Sequence, residues 1–305
     1  MHPLKSVSIR GCFHPNEIFP APENPIASFM EKSTGQFEFG QNWADFSKLI
    51  DQESIDQATS QLSDLLGGQD AIEGRSFLDI GCGSGLHALA AKRLGASEIT
   101  AIDFDPHSVS TAQKVFSENG IFDNAEFRQA NILNLPAEKL KTYDIVYSWG
   151  VLHHTGSLWR AVENASWHVK PDGIFAIALY EKTRLCPLWE IEKRVYSSSP
   201  IFIRRFLEWS YMGVFYLAMK CRGKSFQQYI DNYNRERGMN WRTDVRDWLG
   251  GWPYESASQQ EVESFVSQLG FERLPLGKPS PPSKWGLLGT GCSEYVFRRK
   301  ASDIK

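Results

Sequence analysis

A glycine-rich turn between an apolar run and a helical pattern constrains this chain more than any other feature. The apolar run is Ser76 to Ile80, and Gly81, Gly83 and Gly85 follow it at alternate positions. Residues 86–94 then carry apolar side chains at helical spacing. Glycine adopts positive φ and lets a ligand approach the backbone closely. This order predicts a buried parallel strand, a tight turn and a helix N-terminus that faces a ligand.

Two acidic residues indicate which kind of ligand the glycine turn binds. Asp79 lies just before the glycines, where a carboxylate suits a cationic ligand better than a pyrophosphate. The third glycine follows the second after a single residue, unlike the spacing of a dinucleotide fingerprint. Asp103 ends the next predicted strand, about 20 residues after the glycines, which is the position of the second carboxylate in folds of this kind.

The segment Phe77 to His87 resembles motif I of the class I methyltransferases that depend on S-adenosylmethionine (SAM). Three later segments resemble the other motifs of that family in order. Ala96 to Asp103 supplies the acidic strand end, Phe127 to Ile132 the adenine side, and Tyr143 to His154 the strand and loop beside methyl transfer. The resemblance implies SAM as cofactor and S-adenosylhomocysteine as product.

The resemblance also assigns roles to single residues. It implies that Asp103 holds the ribose hydroxyls and that the side-chain carbonyl of Asn131 accepts from the adenine amino group, where the family usually has Asp. Phe104 and Ile132 would sandwich the adenine ring. The full set that it assigns to the cofactor is Asp79, Gly81, Cys82, Gly83, Gly85, Asp103, Phe104, Asn131, Ile132, Ser148 and Trp149.

The predicted fold class is α/β, a Rossmann-like, doubly wound, mostly parallel sheet of seven strands with an antiparallel final strand and a helical insertion. Residues 1–50 are predicted as an N-terminal arm or lid and 51–180 as the SAM-binding core. Residues 181–256 are predicted as a helical insertion that caps the acceptor, and 257–305 as the return to the core with the last helix and two strands.

Local signals locate several element ends. Asp105 followed by Pro106 predicts an N-cap and a first helical residue. Ser258 with Glu261 predicts a capping box at a later helix. The Lys-Pro-Asp-Gly stretch at 170–173 predicts a break before a strand that begins at Ile174.

Composition favours a cytoplasmic protein with one sizeable core or with a core plus a smaller cap. The chain has 305 residues, 42% of them hydrophobic, and five scattered cysteines without a CxxC pair. That cysteine usage indicates a reducing compartment and no disulfide framework or structural zinc. We find no secretory signal and no apolar run of about 18 residues, so no transmembrane segment is predicted.

The charge is distributed unevenly along the chain. Residues 1–180 contain 13 Lys and Arg against 22 Asp and Glu, whereas residues 181–305 contain 20 against 14. One interpretation is an ordinary solvated basic face. The other is a positive acceptor side that attracts an anionic substrate.

Two segments outside the motifs are candidates for shaping the site. Phe39, Gly40, Gln41 and Trp43 are interpreted as a lid over the cofactor or, equally, as an arm against the sheet edge. The apolar segment Arg204 to Arg222 is flanked by basic residues. We interpret it as a core or dimer-forming helix, with a helix that lies on a bilayer or roofs a pocket as the alternatives.

The end of the insertion is dense in arginine and aromatic residues, a composition typical of polar contacts on rigid aromatic side chains. An arginine there would fix a carboxylate or phosphate of the acceptor by paired hydrogen bonds. The predicted acceptor residues are Trp43, Arg235, Arg237, Trp241, Arg242, Arg246 and Tyr254.

His153 and His154 are the predicted catalytic residues. They follow the fourth strand, where the family places residues beside the acceptor, and either is a candidate general base. The alternative is that a histidine only packs the loop. The sequence shows no metal-ligand spacing, so no metal is predicted.

Three functions remain open from the sequence. The favoured hypothesis is methyl transfer from SAM to an O, N or S atom of a small molecule such as a natural product, sugar, quinone or amino-acid-like compound. The alternatives are an RNA or protein methyltransferase that docks through the basic insertion and a non-catalytic SAM-binding or scaffold subunit. Ser148 to Val151 stands where base and glutamine methylases have an Asn/Asp-Pro-Pro-Tyr signature, which argues against a nucleic-acid partner.

Overall fold

The computed structural model describes Ser47 and residues 50–135, 140–237, 241–278 and 291–301. Within that part of the chain a seven-stranded sheet has the order β3-β2-β1-β4-β5-β7-β6. The strands are β1 (Ser76–Ile80), β2 (Glu98–Asp103), β3 (Ala125–Gln129), β4 (Tyr143–Trp149), β5 (Val169–Tyr180), β6 (Phe271–Arg273) and β7 (Cys292–Arg299).

The pairing of the strands confirms the predicted fold class. β1 pairs in parallel with β2 and β4, and the parallel order continues to β3 on one side and β5 on the other. β7 runs antiparallel to both β5 and β6. The carboxyl ends of β2, β1 and β4 therefore lie side by side, at the switch point where open α/β sheets bind ligands.

Nine helices belong to the described residues. They are α1 (Gln52–Leu66), α2 (Leu86–Arg93), α3 (Pro106–Glu118), α4 (Leu158–Ser166), α5 (Cys186–Ser198), α6 (Ile201–Cys221), α7 (Phe226–Arg237), α8 (Trp241–Gly250) and α9 (Gln259–Gln268). Short 3-10 turns lie at Gln69–Ala71, Ile132–Asn134 and Leu152–His154.

The alternation of side chains along β1 divides the core into two layers. Phe77 packs in the layer that contains α1, α2 and α3, whereas Leu78 packs in the layer that contains α4 and α9. Both side chains are fully buried. Because successive strand residues point to opposite faces, a strand whose residues are all buried needs helices on both sides of the sheet.

The predicted helix starts at Pro106 and after Ser258 are confirmed. Asp105 accepts a hydrogen bond from the backbone N–H of His107 at 2.8 Å, and Pro106 is the first residue of α3. Ser258 and Glu261 form both bonds of the capping box that begins α9.

The prediction that β5 begins at Ile174 is wrong. The strand begins at Val169, which pairs with Tyr143, and pairing with β4 resumes where Ile174 faces Ile145. Asp172 has a φ of 60° in between. The Pro-Asp-Gly signal marks an irregularity within the strand rather than a break before it, because a bulge interrupts pairing locally and lets it resume.

Helices α5 to α8 form a separate small core. Tyr196, Trp241, Val245 and Leu249 are its buried members. The hydroxyl of Tyr196 donates to Glu208 at 2.7 Å and so joins α5 to α6. This cluster closes over the carboxyl edge of the sheet, because α6, α7 and α8 share a cavity with the strand ends.

The interpretation of the apolar segment in α6 as a core helix is wrong for most of its side chains. Only Glu208 and Met219 of its 21 residues are buried. Tyr211 and Phe215 face the cavity, so the helix roofs a pocket on that side. Among the helices of the described chain, none is long and apolar enough to cross a membrane.

Candidate functional site

A cavity of about 1010 Å³ lies at the carboxyl ends of β1, β2 and β4. Its wall contains residues of α1, of the glycine turn and of the loops after β2, β3 and β4. The opposite wall comes from α6, α7 and α8. The cavity therefore spans the sheet edge where the sequence predicts the cofactor and the helices where it predicts the acceptor.

Asp103 is held rigidly at the end of β2. Its Oδ2 accepts from the N–H of Gly83 at 3.0 Å, and its Oδ1 accepts from the N–H of Asp105 at 2.9 Å. Burial raises the pKa of this carboxyl, and the two backbone hydrogen bonds partly offset that effect. Each oxygen retains a lone pair, so the carboxylate is oriented to accept from two neighbouring hydroxyls of a ligand.

Two glycines of the turn are required by their own surroundings. Gly81 has a φ of 77°, and a Cβ there would lie 2.4 Å from the side chain of Val151. Gly85 has a φ of 79°, and its Cβ would meet Ala112 of α3 at 2.8 Å. Both positions therefore need glycine for backbone conformation and for protein packing. Gly83 and Gly85 are not part of the cavity wall, whereas Gly81 and Cys82 are.

Asp79 reaches the cavity from β1 but is only 3% exposed. Burial raises the pKa of its carboxyl to about 8, and the negative charge of Asp103 adds to the rise. The site therefore favours a proton or another cation next to Asp79. SAM, which carries a sulfonium and an ammonium group, fits this wall of the cavity.

We expect Asp79 to make both stability and SAM affinity depend on pH. Because the pKa of Asp79 is raised on folding, its protonated carboxyl stabilises the folded state fully below about pH 4. This contribution to the free energy of unfolding is lost as the pH rises through about 8. Asp79→Asn should therefore stabilise the ligand-free protein at pH 9 by at least about 1 kcal/mol, a rise of about 2–4 °C in Tm. SAM favours the ionised carboxylate, so wild-type affinity should increase with pH up to about 8.

Thermal melts and calorimetric titrations across pH 5–9 check this prediction. The Asn variant should bind SAM more weakly and without that pH dependence, while Asp70→Asn, on an exposed turn, serves as the control. The same Tm and the same pH dependence of SAM affinity in wild type and Asp79→Asn would contradict the raised pKa assigned to Asp79.

The residues predicted for the adenine line one end of the cavity. Phe104, Asn131 and Ile132 all belong to its wall, and Phe104 is 54% exposed. The side-chain oxygen of Asn131 accepts from the N–H of Leu133 at 2.9 Å. This bond orients the amide and leaves that oxygen one lone pair for a ligand.

The two residues predicted at the end of β4 differ in position. Trp149 lines the cavity, and its indole N–H donates to Glu294 of β7 at 3.0 Å. Ser148 is fully buried, and its hydroxyl donates to the carbonyl of Ile80 at 2.9 Å. Ser148 therefore ties β4 to β1 and does not reach the cavity wall.

The two predicted catalytic histidines also differ. His154 belongs to the cavity wall, and its Nδ1 lies 2.8 Å from the carbonyl of Pro253. A carbonyl can only accept, so Nδ1 carries the proton and Nε2 the lone pair of the neutral ring. Burial lowers the pKa of His154 to about 4, so the ring is neutral near pH 7.

His153 is fully buried behind that wall. Its ring centroid lies 3.9 Å from that of Tyr180 and 4.4 Å from that of His154. Neither of its ring nitrogens has a hydrogen-bond partner among the described residues. The position of His153 matches the packing alternative, because it does not reach the cavity.

Few of the residues predicted for the acceptor reach the cavity. Trp241 is part of its wall. Tyr254 is buried and donates its hydroxyl to the sulfur of Cys186 at 3.3 Å. Arg246 pairs with Glu208 at 3.3 Å, and Arg242 is exposed. Arg242, Arg246 and Tyr254 are therefore not in the cavity wall.

Several predicted residues lie outside the described part of the chain. They are Phe39, Gly40, Gln41 and Trp43, together with the side chains of Arg235 and Arg237.

Other wall residues were not identified from the sequence. His87, in the first turn of α2, has a centroid 6.5 Å from that of Trp149, and burial lowers its pKa to about 4. An aromatic group on the helical side consists of Tyr211, Phe215, Tyr229, Tyr233 and Trp248. The sequence signal for this group is a spacing of four residues, between Tyr211 and Phe215 and between Tyr229 and Tyr233. That spacing places each pair on one side of a helix.

The formal charge of the wall is negative. Its charged side chains are Asp79, Asp103, Asp105, Asp244, Asp247 and Glu294, and no Lys or Arg of the described residues belongs to it. The described wall thus suits a cationic cofactor and gives no positive site for an anionic acceptor. Among the described residues we find no cluster of His, Cys, Asp or Glu that could hold a metal.

Comparisons with known proteins agree with this geometry. Residues 78–177 match the family described as a methyltransferase domain. The chain is 31% identical over 140 residues to ribosomal protein L11 methyltransferase of Tolumonas auensis, covering 45% of this chain and 44% of that protein. It is 36% identical over 115 residues to ubiquinone biosynthesis O-methyltransferase of Rickettsia prowazekii, covering 38% and 44%.

A solved structure shares the fold over a longer stretch. PKMT2 from Rickettsia typhi superposes with a TM-score of 0.53 at 14% identity, covering 83% of this chain and 54% of that chain. The chain spans about half the length of the curated relatives it matches.

The matched family, the strand order and the motif segments together identify residues 78–177 as a class I, SAM-dependent methyltransferase domain. SAM, the cofactor predicted from the sequence, is the methyl donor of this class.

Proposed function

We propose that this chain transfers the methyl group of SAM to a small-molecule acceptor. One observation carries the proposal: a single cavity connects the wall with Asp79 and Asp103 to an aromatic wall on α6, α7 and α8. Methyl transfer needs donor and acceptor in line and shielded from water, and a shared cavity of this kind meets both needs.

The residues of the chain have separable tasks in this proposal. When bound, SAM supplies an electrophilic methyl group for an in-line displacement. Asp103 accepts hydrogen bonds from the ribose hydroxyls of SAM. The negative charge of Asp79 balances the positive charge of SAM. His154, whose neutral ring belongs to the cavity wall, accepts the proton of the acceptor. The aromatic wall excludes water and positions the acceptor.

The aromatic wall supports a largely apolar or ring-containing acceptor with an oxygen. Phe215 and Trp248 offer broad apolar faces to the cavity. The indole N–H of Trp248 is buried without a hydrogen-bond partner among the described residues. That N–H has almost no accessible surface, so the acceptor meets the apolar ring faces rather than this donor. The relatives named for ubiquinone biosynthesis are O-methyltransferases by name, which supports an oxygen acceptor.

A protein substrate is the second candidate function. It is favoured by the match to a ribosomal protein L11 methyltransferase at 31% identity. A protein side chain would have to enter the aromatic cavity, whereas a small molecule can be enclosed by it. A cytoplasmic location stays a prediction under either candidate.

Incubation with methyl-labelled SAM separates the two candidates. We expect wild-type protein and a metabolite extract to give a labelled compound below protein size, detected by mass spectrometry. The Asp103→Ala variant should give none above background. Label found only in the protein or RNA fraction would contradict small-molecule methylation, and absence of label from all fractions would contradict catalysis.

A further inference from the structure

The outer face of α5 and α6 is strongly apolar and exposed. On α6, Phe202 and Phe206 are each 69% exposed and Trp209 is 71% exposed. On α5, Leu188, Ile191 and Val195 are exposed at positions that share one side of the helix. We call these six residues the apolar face.

The spacing on α6 makes one continuous stripe. Phe202, Phe206 and Trp209 are separated by four and three residues, so they lie on the same side of the helix. Only Ser199 and Pro200 separate α5 from α6, which keeps the end of one stripe near the start of the other. Large exposed aromatic groups of this kind are unusual on a protein surface unless something covers them.

The orientation of α6 is fixed by its inner side. Tyr211 and Phe215 face the cavity, and Glu208 is buried between Tyr196, whose hydroxyl donates to it at 2.7 Å, and Arg246 at 3.3 Å. Rotation of the helix to bury the apolar face would break these contacts and expose Glu208. The exposure of Phe206 and Trp209 is therefore a consequence of how α6 is held.

Basic side chains accompany the apolar face. Arg194, Arg205, Lys220, Arg222 and Lys224 are all exposed. Glu190 is the one exposed acidic residue between 186 and 224 in this described stretch. Apolar side chains next to a cationic border are the combination that binds an anionic bilayer interface.

We propose that this face is a peripheral docking surface for an anionic lipid bilayer. α6 lies in the interfacial plane, with Phe206 and Trp209 inserted at the level of the headgroups and Arg205 and Lys220 beside lipid phosphates. A second copy of the chain is a poorer occupant, because a two-fold contact would bring two borders of the same positive charge together. The inference is independent of the proposed methyl transfer.

Cosedimentation of the full chain with vesicles tests the proposal. We expect binding to vesicles of equal parts phosphatidylglycerol and phosphatidylcholine, weak binding to phosphatidylcholine alone, and loss of binding as salt screens the charges. Phe206→Ser and Trp209→Ser should each lower the partition coefficient about tenfold. Arg205→Gln should lower it about fivefold, the effect of one basic residue near a charged surface.

Matched controls lie elsewhere on the chain. Phe122→Ser removes an aromatic side chain that is 79% exposed, and Lys114→Gln removes an exposed cation of α3. Both should bind vesicles like the wild type. Thermal melts establish that every variant is folded, and SAM titrations report separately on the cavity.

Three results would overturn the inference. The first is no binding of the wild type to anionic vesicles at low salt. The second is equal loss in the control variants. The third is a wild-type dimer that Phe206→Ser and Trp209→Ser convert to monomer with no effect of lipid, which would assign the face to a second copy of the chain.

Discussion

Asp103→Ala should weaken SAM binding at least about tenfold, because a carboxylate that accepts from two hydroxyls contributes about 1.5–3 kcal/mol for each bond. The structure adds a second reason for a large effect. Asp103 also holds the N–H of Gly83 at 3.0 Å, so its removal releases the glycine turn as well as the ligand contact. Isothermal titration calorimetry with SAM measures the change.

Asp105→Ala is the matched control for Asp103→Ala. Asp105 is acidic, belongs to the same cavity wall and caps α3 by accepting from His107 at 2.8 Å. Its loss should lower stability by about 1 kcal/mol, the usual effect of an N-cap, with little change in SAM affinity. Unchanged SAM affinity in a folded Asp103→Ala protein would contradict the assignment of Asp103 to ribose binding. An equal loss of SAM affinity in both variants would contradict it as well.

His154→Gln should lower turnover by about 10²–10⁴ while SAM affinity stays the same, the range for loss of a general base. His154 lines the cavity, and its tautomer is set by Pro253. Because burial holds its pKa at about 4, wild-type turnover at saturating SAM should fall only when the pH drops toward 4. The measurement is single-turnover methyl transfer with the acceptor found by the labelling experiment.

His153→Leu is the control for His154→Gln. It replaces the adjacent, fully buried histidine, whose ring nitrogens have no partner among the described residues. We expect turnover within a few-fold of wild type, because His153 packs on Tyr180 and does not reach the cavity. A loss of turnover in His153→Leu with full activity in His154→Gln would reverse the two roles.

Much of the sheet could be predicted because its signals are local. The apolar run Ser76 to Ile80, the glycines after it and the Asp105–Pro106 cap each depend on neighbouring residues alone. The placement of Asp103 followed from the parallel arrangement, since strand ends meet at one edge. The start of β5 was missed because a bulge and a break share the same Pro-Asp-Gly chemistry.

The acceptor side was harder to predict, because it depends on how four helices pack. Arg246 was expected in the site from its composition, yet it pairs with Glu208, a residue 38 positions earlier in the chain. Tyr211 and Phe215 face the cavity while Phe206 and Trp209 face outward, although all four lie in one apolar segment. Periodicity shows that two faces exist, and only tertiary contacts decide which of them is covered.

The sequence could not predict which of the two adjacent histidines reaches the cavity. His153 and His154 are adjacent, so no sequence rule separates them. The 3-10 turn at Leu152–His154 places one ring in the cavity wall and the other behind it.

Titration of the wild-type chain with SAM, with S-adenosylhomocysteine and with NAD, one at a time, is the most direct test of the cavity as a SAM site. We predict saturable binding of SAM and of S-adenosylhomocysteine, and no binding of NAD at the same concentrations. Tighter binding of NAD, or no binding of either sulfur compound, would contradict the assignment.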